Sequence, residues 1–517
     1  MELRHGIQSR LVRIAALRIG WVERHPLSTF VLLVLALRLA LAMITPLTED
    51  EIYYRQWAEH FQFGYYDHPP MIAWWIDLGV NLVGDNRLGV RLLPVLSNSM
   101  ISVILAQLVS ELGASRLLAL RAAIWFQAML LVALGGMLAT PDAPLTLFWS
   151  LTLLATARAS KRSSTGPWLL VGALMGLALL SKYSALFLAF GLLLWALSTH
   201  GKRAMLSRPG PWLAGLISLA LFSFNIDWNA HHHWVTFSKQ FGRAVPHSLD
   251  VSNLLELLVG QFLLLNPIII TLVAWCVMVR RRLVARSISA DLSLLGFSVL
   301  PFIAYLTLHA IHSRVQAHWP VPIYPAIAAL AAICVGDAPL TGWPSRLSRS
   351  IVPVAAGVVL LLGVATGFPG LVPGLDPARE LRGWPEFSAR VADLSRREGA
   401  SWVGAISYGT TASLARAHPA DIPVLQLYQR DRYTDADPSW TIDANHPGLV
   451  VDLVRRVHTS DLEQCFAEIE QLPDLERVGP DGHRTRYAAV LVSGPLRPFI
   501  QAGCWDRVLP SSESGSE

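Results

Sequence analysis

The chain has 517 residues, of which 53% are hydrophobic and only 15% carry a charged side chain. Ordinary soluble domains have about 25% charged residues, so the composition argues against a soluble protein and favours a helical membrane protein. The net charge of +5 does not indicate binding to nucleic acid, because the basic residues lie mostly in short segments between apolar runs, as in membrane-protein loops.

The first apolar run spans residues 26–47 and follows a basic N-terminal stretch. It is about as long as the roughly 20 residues that cross a bilayer as a helix. It is too long for the apolar region of a signal peptide and lacks a small-residue cleavage pattern. We therefore interpret it as the first transmembrane helix and as an uncleaved anchor.

Further apolar segments bring the prediction to about eleven transmembrane helices. These segments are 88–110, 118–137, 143–157, 167–180, 183–199, 211–226, 253–279, 292–310, 319–336 and 350–368. Together they predict an all-α polytopic membrane domain over residues 1–371.

Lysine and arginine residues cluster in alternate loops between these segments. The basic loops contain Arg116 and Arg121; Arg158, Lys161 and Arg162; Lys202, Arg203 and Arg208; Arg280, Arg281, Arg282 and Arg286; and Arg346 and Arg349. Because cytoplasmic loops are enriched in such residues, we predict that these loops and the N-terminus are cytoplasmic. The opposite loops, which include 48–87, 138–142, 181–183, 227–252 and 311–318, are predicted to face outward.

An odd number of spans places the C-terminal region, residues 372–517, on the outer side as well. This region is polar with short apolar runs at 402–406 and 487–493, which predict strands of an α/β soluble domain. Cys465 and Cys504 lie in this region and could form one disulfide in an oxidising compartment. Cys276 and Cys334 lie in apolar runs and are expected to be buried thiols.

The first outer loop, residues 48–87, begins with the adjacent acids Glu49, Asp50 and Glu51, followed by Tyr53 and Tyr54. Adjacent carboxylates repel and raise one another's pKa, so three of them at a membrane surface are costly to cluster and are candidates for a functional site. The alternative is a solvated helix start, because acidic residues are favourable in a first helical turn.

The same loop continues as Gly64–Tyr65–Tyr66–Asp67–His68–Pro69–Pro70. The proline pair breaks any helix and fixes a turn, so Asp67 and His68 could face the acidic cluster. The alternative is an interfacial amphipathic segment, for which Tyr and Trp are typical.

These two loop motifs resemble those of the bacterial membrane glycosyltransferases related to protein O-mannosyltransferases, among them the lipid A aminoarabinose transferases. The resemblance covers residues 26 to about 336. Its further motifs are Ala139–Thr140–Pro141–Asp142–Ala143–Pro144, Leu180–Ser181–Lys182–Tyr183, Asp227–Trp228–Asn229 and His318–Trp319–Pro320.

The resemblance implies a GT-C fold in the inner membrane of a bacterium, with the C-terminal domain in the periplasm. It implies transfer of a sugar from a polyprenyl-phosphate carrier to an acceptor at the outer face. The family's first-loop aspartate corresponds to Asp50 and its second-loop acid to Asp142. The aminoarabinose transferases bind a metal near the active site, where the usual glutamate is Asp67 here and the lysine that follows it is His68.

The chemistry of such a transfer suggests roles for these residues. The acceptor hydroxyl needs a base as it attacks the anomeric carbon, a single displacement that inverts configuration. We assign the base to Asp50, with Glu51 and Asp142 as supporting or orienting acids. Tyr53, Tyr54, Tyr66, Asp67 and His68 are candidate substrate contacts in the same loop.

The departing phosphate needs positive charge more than it needs a proton. Lys182, Arg243 and Arg314 lie on the predicted outer side and are candidates for binding it. The alternative for each is a cation that merely snorkels to the membrane surface. Asp67, His68 and His318 are a candidate ligand set for a divalent cation that would neutralise the phosphate; no organic cofactor is expected.

Two other classes remain open. A transporter or flippase of a lipid-linked sugar would carry no transferase chemistry, but it would be expected to show two similar halves and polar groups in mid-span. A scaffold or sensor could retain the fold without catalysis. Within the first class, the sugar is open, and the acceptor could be lipid A or lipopolysaccharide, a lipid-linked glycan, or a translocated protein.

Overall fold

The computed structural model describes residues 25–242, 249–279, 292–372, 374–418, 421–433 and 446–496. Its N-terminal part is helical. The helices are α1 (Pro26–Ile44), α2 (Glu49–Trp57), α3 (Met71–Val83), α4 (Arg87–Glu111), α5 (Arg116–Ala128), α6 (Leu130–Gly135), α7 (Asp142–Ala159), α8 (Gly166–Leu179), α9 (Ala185–Leu197), α10 (His200–Arg203), α11 (Pro209–His231), α12 (Val235–Gly242), α13 (Ser252–Leu264), α14 (Pro267–Val279), α15 (Ser293–His309), α16 (Tyr324–Val335) and α17 (Trp343–Gly367).

Each predicted transmembrane segment contains helix within the described residues. Four helices, namely α1, α4, α11 and α17, are long and apolar enough to cross a membrane. Two bent pairs could each supply one further span: α9 with residues 200–207, bent by 114°, and α13 with α14, bent by 95°. Their apolar side chains face one another around large buried residues such as Trp149 and Phe126.

Two predicted segments are interrupted. Segment 253–279 breaks at Asn266, whose φ is +75°, and at Pro267. Proline lacks the N–H that continues a helix, and a left-handed residue reverses the chain direction locally. Segment 118–137 breaks at Met129, which has extended backbone angles. The first outer loop also holds two helices, α2 and α3, and α3 is as apolar as the predicted spans.

The C-terminal part is a small domain built around one mixed five-stranded sheet of order β2-β1-β3-β5-β4. Strands β1, β2 and β3 are parallel, and β5 pairs antiparallel with both β3 and β4. The elements are α18 (Trp384–Arg397), β1 (Trp402–Ala405), α19 (Tyr408–Ala417), β2 (Val424–Gln426), β3 (Gly448–Leu453), α20 (Thr459–Leu462), β4 (Phe466–Val478) and β5 (Arg484–Pro495).

This sheet confirms both predicted strands. Helix α18 covers one face, where Phe387 packs on Tyr487 with ring centroids 4.5 Å apart. The predicted boundary at residues 371–372 falls between α17 and α18. Cys465 is disulfide-bonded, and its predicted partner, Cys504, lies outside the described residues. Cys276 is a buried free thiol and Cys334 is a half-buried one.

The sheet domain, defined here as residues 376–496, rests directly on the first outer loop. Helix α19 packs along α2, with Ala412 in one apolar cluster with Ile52 and Tyr53. At Gly409 the approach is so close that a Cβ would overlap the Glu49 carboxylate. A side chain at this position of α19 would therefore require the Glu49 carboxylate to move.

A buried ion pair fastens the start of the first outer loop to the bundle. Glu51 closes a capping box at the start of α2 with Thr48. Its carboxylate also accepts hydrogen bonds from Arg91 of α4, at 2.5 and 2.7 Å, and from the Ala139 N–H at 2.9 Å. Burial alone would raise the pKa of Glu51, but the Arg91 charge and these hydrogen bonds hold it below the ordinary value.

We expect Glu51→Gln to destabilise the protein strongly, because it leaves the fully buried charge of Arg91 without its counter-ion. Breaking one side of such a pair costs about 3–5 kcal/mol. Thermal unfolding in detergent measures the loss. Glu256→Gln is the matched control, because its pair with Arg314 is about half exposed and should contribute less than about 1 kcal/mol.

The pH dependence gives a second check on this pair. The folded-state pKa of Glu51 is lowered. The stabilisation that the Glu51–Arg91 pair gives the folded protein is therefore complete above the ordinary carboxyl pKa, and it is lost as the pH falls through the lowered pKa. Equal unfolding temperatures for Glu51→Gln and Glu256→Gln would contradict a structural role for this pair.

Candidate functional site

A cleft of about 630 Å³, including its open mouth, lies where the first outer loop, the start of α7, the turn before α9, the turn before α16 and the sheet domain meet. Most of its lining is polar or aromatic. The lining residues are Asp50, Tyr53, Tyr54, Asp67, His68, Thr140, Pro141, Asp142, Lys182, Gln240, Gln316, His318, Trp319, Tyr408 and Arg432.

Asp50 is a half-buried carboxylate at the wall of this cleft. Tyr408 of the sheet domain donates a hydrogen bond to its Oδ1 at 2.7 Å. The residues that precede Tyr408, the first residue of α19, are held by Asp452, which is fully buried and accepts hydrogen bonds from the N–H groups of Ile406 and Ser407 at 2.9 and 2.7 Å. The sheet domain therefore orients a carboxylate of the membrane domain.

Asp142 and Lys182 form the first carboxylate–cation pair of the cleft. Asp142 begins α7, and Lys182 lies in the turn before α9 and donates to both Asp142 oxygens, at 2.8 and 3.0 Å. His318 Nε2 lies 3.7 Å from Asp142 Oδ2. Burial lowers the pKa of His318 although Asp142 opposes this, so a neutral imidazole is favoured beside the pair at neutral pH.

Asp67 and Arg432 form the second pair, and it joins the two parts of the chain. Asp67 Oδ2 accepts hydrogen bonds from Arg432 Nη1 at 2.8 Å and from the Tyr53 hydroxyl at 3.0 Å. The Arg432 guanidinium also lies 4.5 Å from the ring centroid of Tyr408 and 5.1 Å from that of Tyr66. A guanidinium in such aromatic surroundings is stabilised by cation–π attraction.

Tyr53 and Tyr54 bring buried phenols to the same cleft. Burial raises the pKa of both phenols well above the ordinary value, and the nearby carboxylates, Asp67 for Tyr53 and Asp50 for Tyr54, raise it further. Both side chains therefore stay protonated. The Tyr53 hydroxyl uses its one proton on Asp67, whereas Tyr54 can donate a hydrogen bond to a bound substrate.

The structure brings most of the predicted residues together, with three exceptions among those it describes. Glu51 does not line the cleft and is buried against Arg91, so it can act only by orienting α2. Tyr66 does not line the cleft, but its ring packs against the guanidinium of Arg432. Arg314 does not line the cleft and pairs with Glu256 at 2.6 Å. Arg243 lies outside the described residues.

The predicted metal ligands do not form a ligand set. Within the described ranges, no three His, Cys, Asp or Glu side chains are arranged to hold a metal ion. Asp67 receives the guanidinium of Arg432, and His318 approaches Asp142 instead of His68. Binding of a metal stays a prediction, and no step below depends on one.

Sequence reasoning missed Tyr408, Arg432, Gln240 and Gln316. An arginine beside a tyrosine was no signal for Arg432, since the pairs Tyr54–Arg55 and Arg486–Tyr487 show the same pattern. Nothing in the sequence around Arg432 pointed to Asp67, which lies 365 positions earlier.

Comparison with known proteins shows the family to which the chain belongs. Residues 67–228 match the sequence model for dolichyl-phosphate-mannose-protein mannosyltransferase. The lipid A galacturonosyltransferase RgtD of Rhizobium johnstonii is 30% identical over 377 residues, which cover 68% of this chain and 73% of RgtD. The chain belongs to the GT-C membrane glycosyltransferases.

The fold of this glycosyltransferase is also similar to that of ArnT from Cupriavidus metallidurans. The ArnT crystal structure bound to undecaprenyl phosphate matches with a TM-score of 0.60 at 16% identity, over 91% of this chain and 98% of ArnT. The apo structure of ArnT matches over the same shares with a TM-score of 0.58. The similarity confirms the predicted GT-C fold with its small C-terminal sheet domain.

We expect Tyr408→Phe to lower the turnover of the glycosyltransferase by about tenfold or more, because a hydrogen bond to a charged group contributes about 1.5–3 kcal/mol. A phenol that donates to a carboxylate favours the ionised form. The acid limb of the pH–rate profile should therefore move to higher pH. Steady-state kinetics across pH measure both effects.

Tyr487→Phe is the matched control for this variant, because it removes a buried phenol of the same domain that contacts Arg477 and does not line the cleft. If Tyr487→Phe shifted the pH profile as Tyr408→Phe does, the effect would come from disturbance of the sheet domain, and a positioning role for Tyr408 would be ruled out.

Proposed function

We propose that the glycosyltransferase transfers a sugar, with inversion, from a polyprenyl-phosphate donor to lipid A at the periplasmic face of the bacterial inner membrane. The observation that carries this proposal is the cleft, whose lining combines the half-buried carboxylate of Asp50 with two cations, Lys182 and Arg432, each held by another aspartate. The relatives support the two substrates: RgtD acts on lipid A by name, and ArnT was crystallised with undecaprenyl phosphate.

In the proposed reaction, Asp50 takes the proton of the acceptor hydroxyl as its oxygen attacks the anomeric carbon. The bond from that carbon to the phosphate oxygen breaks, and the electron pair leaves with the polyprenyl phosphate. The Tyr408 phenol keeps the Asp50 carboxylate turned toward the cleft. Protonated Tyr54 lines the same wall and is placed to donate to the sugar.

Lys182 and Arg432 would stabilise the negative charge that develops on the departing phosphate. An ammonium group has three N–H donors, and Lys182 uses two of them on Asp142. The third remains for a phosphate oxygen. Arg432 adds a second charge close to His68, the position at which aminoarabinose transferases have a lysine.

The distribution of charge supports the proposed orientation. The cleft lies at one end of the helices, and the basic residues Lys161, Lys202 and Arg208 lie at the other end, where they line a separate cavity. With those residues in the cytoplasm, the cleft and the sheet domain face the periplasm. A flippase has less support, because the cleft combines a candidate base with two cations at one end of the helices. Transfer of a sugar from a phosphate needs such groups, whereas movement of a lipid across the membrane does not.

We expect Asp50→Asn to abolish transfer and leave the protein folded, since the amide can still accept the hydrogen bond from Tyr408 but cannot take a proton. Mass spectrometry of lipid A from a deletion strain, complemented with each variant, measures this. The sugar missing from the deletion strain also identifies the donor, with galacturonic acid the first candidate.

Glu49→Gln is the matched control, because Glu49 is adjacent in sequence, packs against Gly409 and does not line the cleft. Burial raises the pKa of Glu49, so a neutral side chain is tolerated there. Full transfer by Asp50→Asn would refute the base, and unchanged lipid A in the deletion strain would refute the acceptor.

We expect Lys182→Gln to raise the KM for the donor by about tenfold or more, because a charge-assisted hydrogen bond to phosphate is lost. If Asp142 acts by positioning Lys182, Asp142→Asn should impair the wild type but add little to the Lys182→Gln variant. Donor-dependence kinetics of the four proteins in this double-mutant cycle measure the coupling.

Arg314→Gln is the control cation, because it pairs with Glu256 away from the cleft. A similar rise in donor KM for Arg314→Gln would show that general surface charge attracts the donor. Independent effects of Asp142→Asn and Lys182→Gln would mean that Asp142 contacts a substrate itself.

A further inference from the structure

A second cavity, of about 1120 Å³ with its open mouth, lies at the opposite end of the bundle. Helix α7 starts at the catalytic cleft with Asp142 and ends at Ala159, next to this cavity. Its 18 residues span about 27 Å, close to the roughly 30 Å thickness of a bilayer core. The second cavity is therefore separate from the cleft and lies near the other membrane surface.

The lining of this cavity carries an excess of positive charge. Within the described part of the chain, it contains the three cations Lys161, Lys202 and Arg208 and the single carboxylate of Glu111. That carboxylate already accepts a hydrogen bond from Arg158 Nε at 3.0 Å and lies 3.3 Å from Lys161 Nζ. The cations consequently favour an anionic ligand.

Trp195 supplies an independent sign of a ligand. Its side chain lines the cavity and is only 3% exposed. Its indole Nε1 is buried and has no hydrogen-bond partner among the residues that the structure describes. Buried indole N–H groups usually have a partner, so this donor suits a ligand oxygen. Lys202 Nζ lies 5.3 Å from the same ring centroid.

The surface of the neighbouring helices is apolar and exposed. Leu193 and Leu197 of α9 and Trp212 and Leu216 of α11 are all more than 40% exposed. Trp212 donates its indole N–H to the Leu206 carbonyl at 2.8 Å, an arrangement typical of the membrane interface. The acyl chains of a lipid could lie along these side chains beside the basic cavity.

We propose that this cavity binds the phosphate headgroup of an anionic phospholipid in the leaflet opposite the catalytic cleft. Basic pockets between transmembrane helices recognise anionic headgroups in this way. In this proposal the basic lining attracts the phosphate, the Trp195 indole N–H donates a hydrogen bond to it, and the acyl chains follow the apolar side chains of α9 and α11. The proposal does not depend on which sugar or acceptor the enzyme uses.

Native mass spectrometry of the full-length protein in detergent, titrated with phosphatidylglycerol or phosphatidylcholine, tests this proposal. We expect phosphatidylglycerol to bind preferentially. Lys161→Gln and Arg208→Gln should each weaken its binding about fivefold, since one cation near a membrane surface contributes about 1 kcal/mol. Trp195→Phe, which keeps an aromatic side chain and removes the N–H, should also weaken binding at unchanged charge.

Arg346→Gln and Arg349→Gln are the matched controls, because these exposed residues belong to the same set of basic loops but do not line the cavity. Thermal unfolding checks that all variants are folded. Equal weakening by the controls, or equal binding of the two lipids, would overturn the proposal. Competition by soluble glycerol phosphate as strong as by phosphatidylglycerol would identify a free phosphate compound and overturn the lipid assignment.

Discussion

The buried pair of Glu51 and Arg91 is the interaction on which the catalytic end of the molecule depends. Arg91 also donates to the carbonyl groups of Ala42, Thr45 and Pro46, which end the first helix and begin the first outer loop. One guanidinium thus satisfies backbone groups that would otherwise be unpaired in a buried turn. Removing two charges from water is costly. The mutual attraction of the pair and the hydrogen bonds of Arg91 offset that cost, and the pair fixes the direction of α2.

The direction of α2 explains why three adjacent acids have three different roles. Successive residues of a helix point about 100° apart, so neighbours in sequence enter different surroundings. Glu49 faces the sheet domain at Gly409, Asp50 faces the cleft, and Glu51 faces the bundle at Arg91. The alternative of a helix start therefore holds for Glu51, which closes the capping box of α2, whereas the functional role of Asp50 stays a prediction.

Much of this arrangement could be predicted from sequence. Apolar segments locate the helices because burial in lipid leaves a long uniform signal, and the motifs around Asp50, Asp142 and Lys182 locate one wall of the cleft. The break at Met129 was missed because that position carries no turn motif. Asn266–Pro267 does carry a turn signal, but the uninterrupted apolar run around it favoured a single span. A helix can end inside an apolar run when neighbouring packing favours the turn.

The other wall could not be predicted, because it depends on contacts between distant parts of the chain. Tyr408 lies 358 positions from Asp50, and Arg432 lies 365 positions from Asp67. Such contacts follow from how the sheet domain packs on α2, and a local pattern does not record that packing. The pairing of Asp67, a predicted metal ligand, with Arg432 could not be predicted for the same reason.

The sheet domain contributes Arg432, so the cleft contains two cations, and each of them pairs with an aspartate. A cleft with two unpaired cations would be costly in the absence of substrate, because buried charges without partners are strongly unfavourable. Asp142 and Asp67 reduce that cost by holding Lys182 and Arg432 in place. In the proposed reaction, docking of the sheet domain completes the phosphate side of the cleft and orients Asp50 through Tyr408, so we expect transfer to require both parts of the chain in contact.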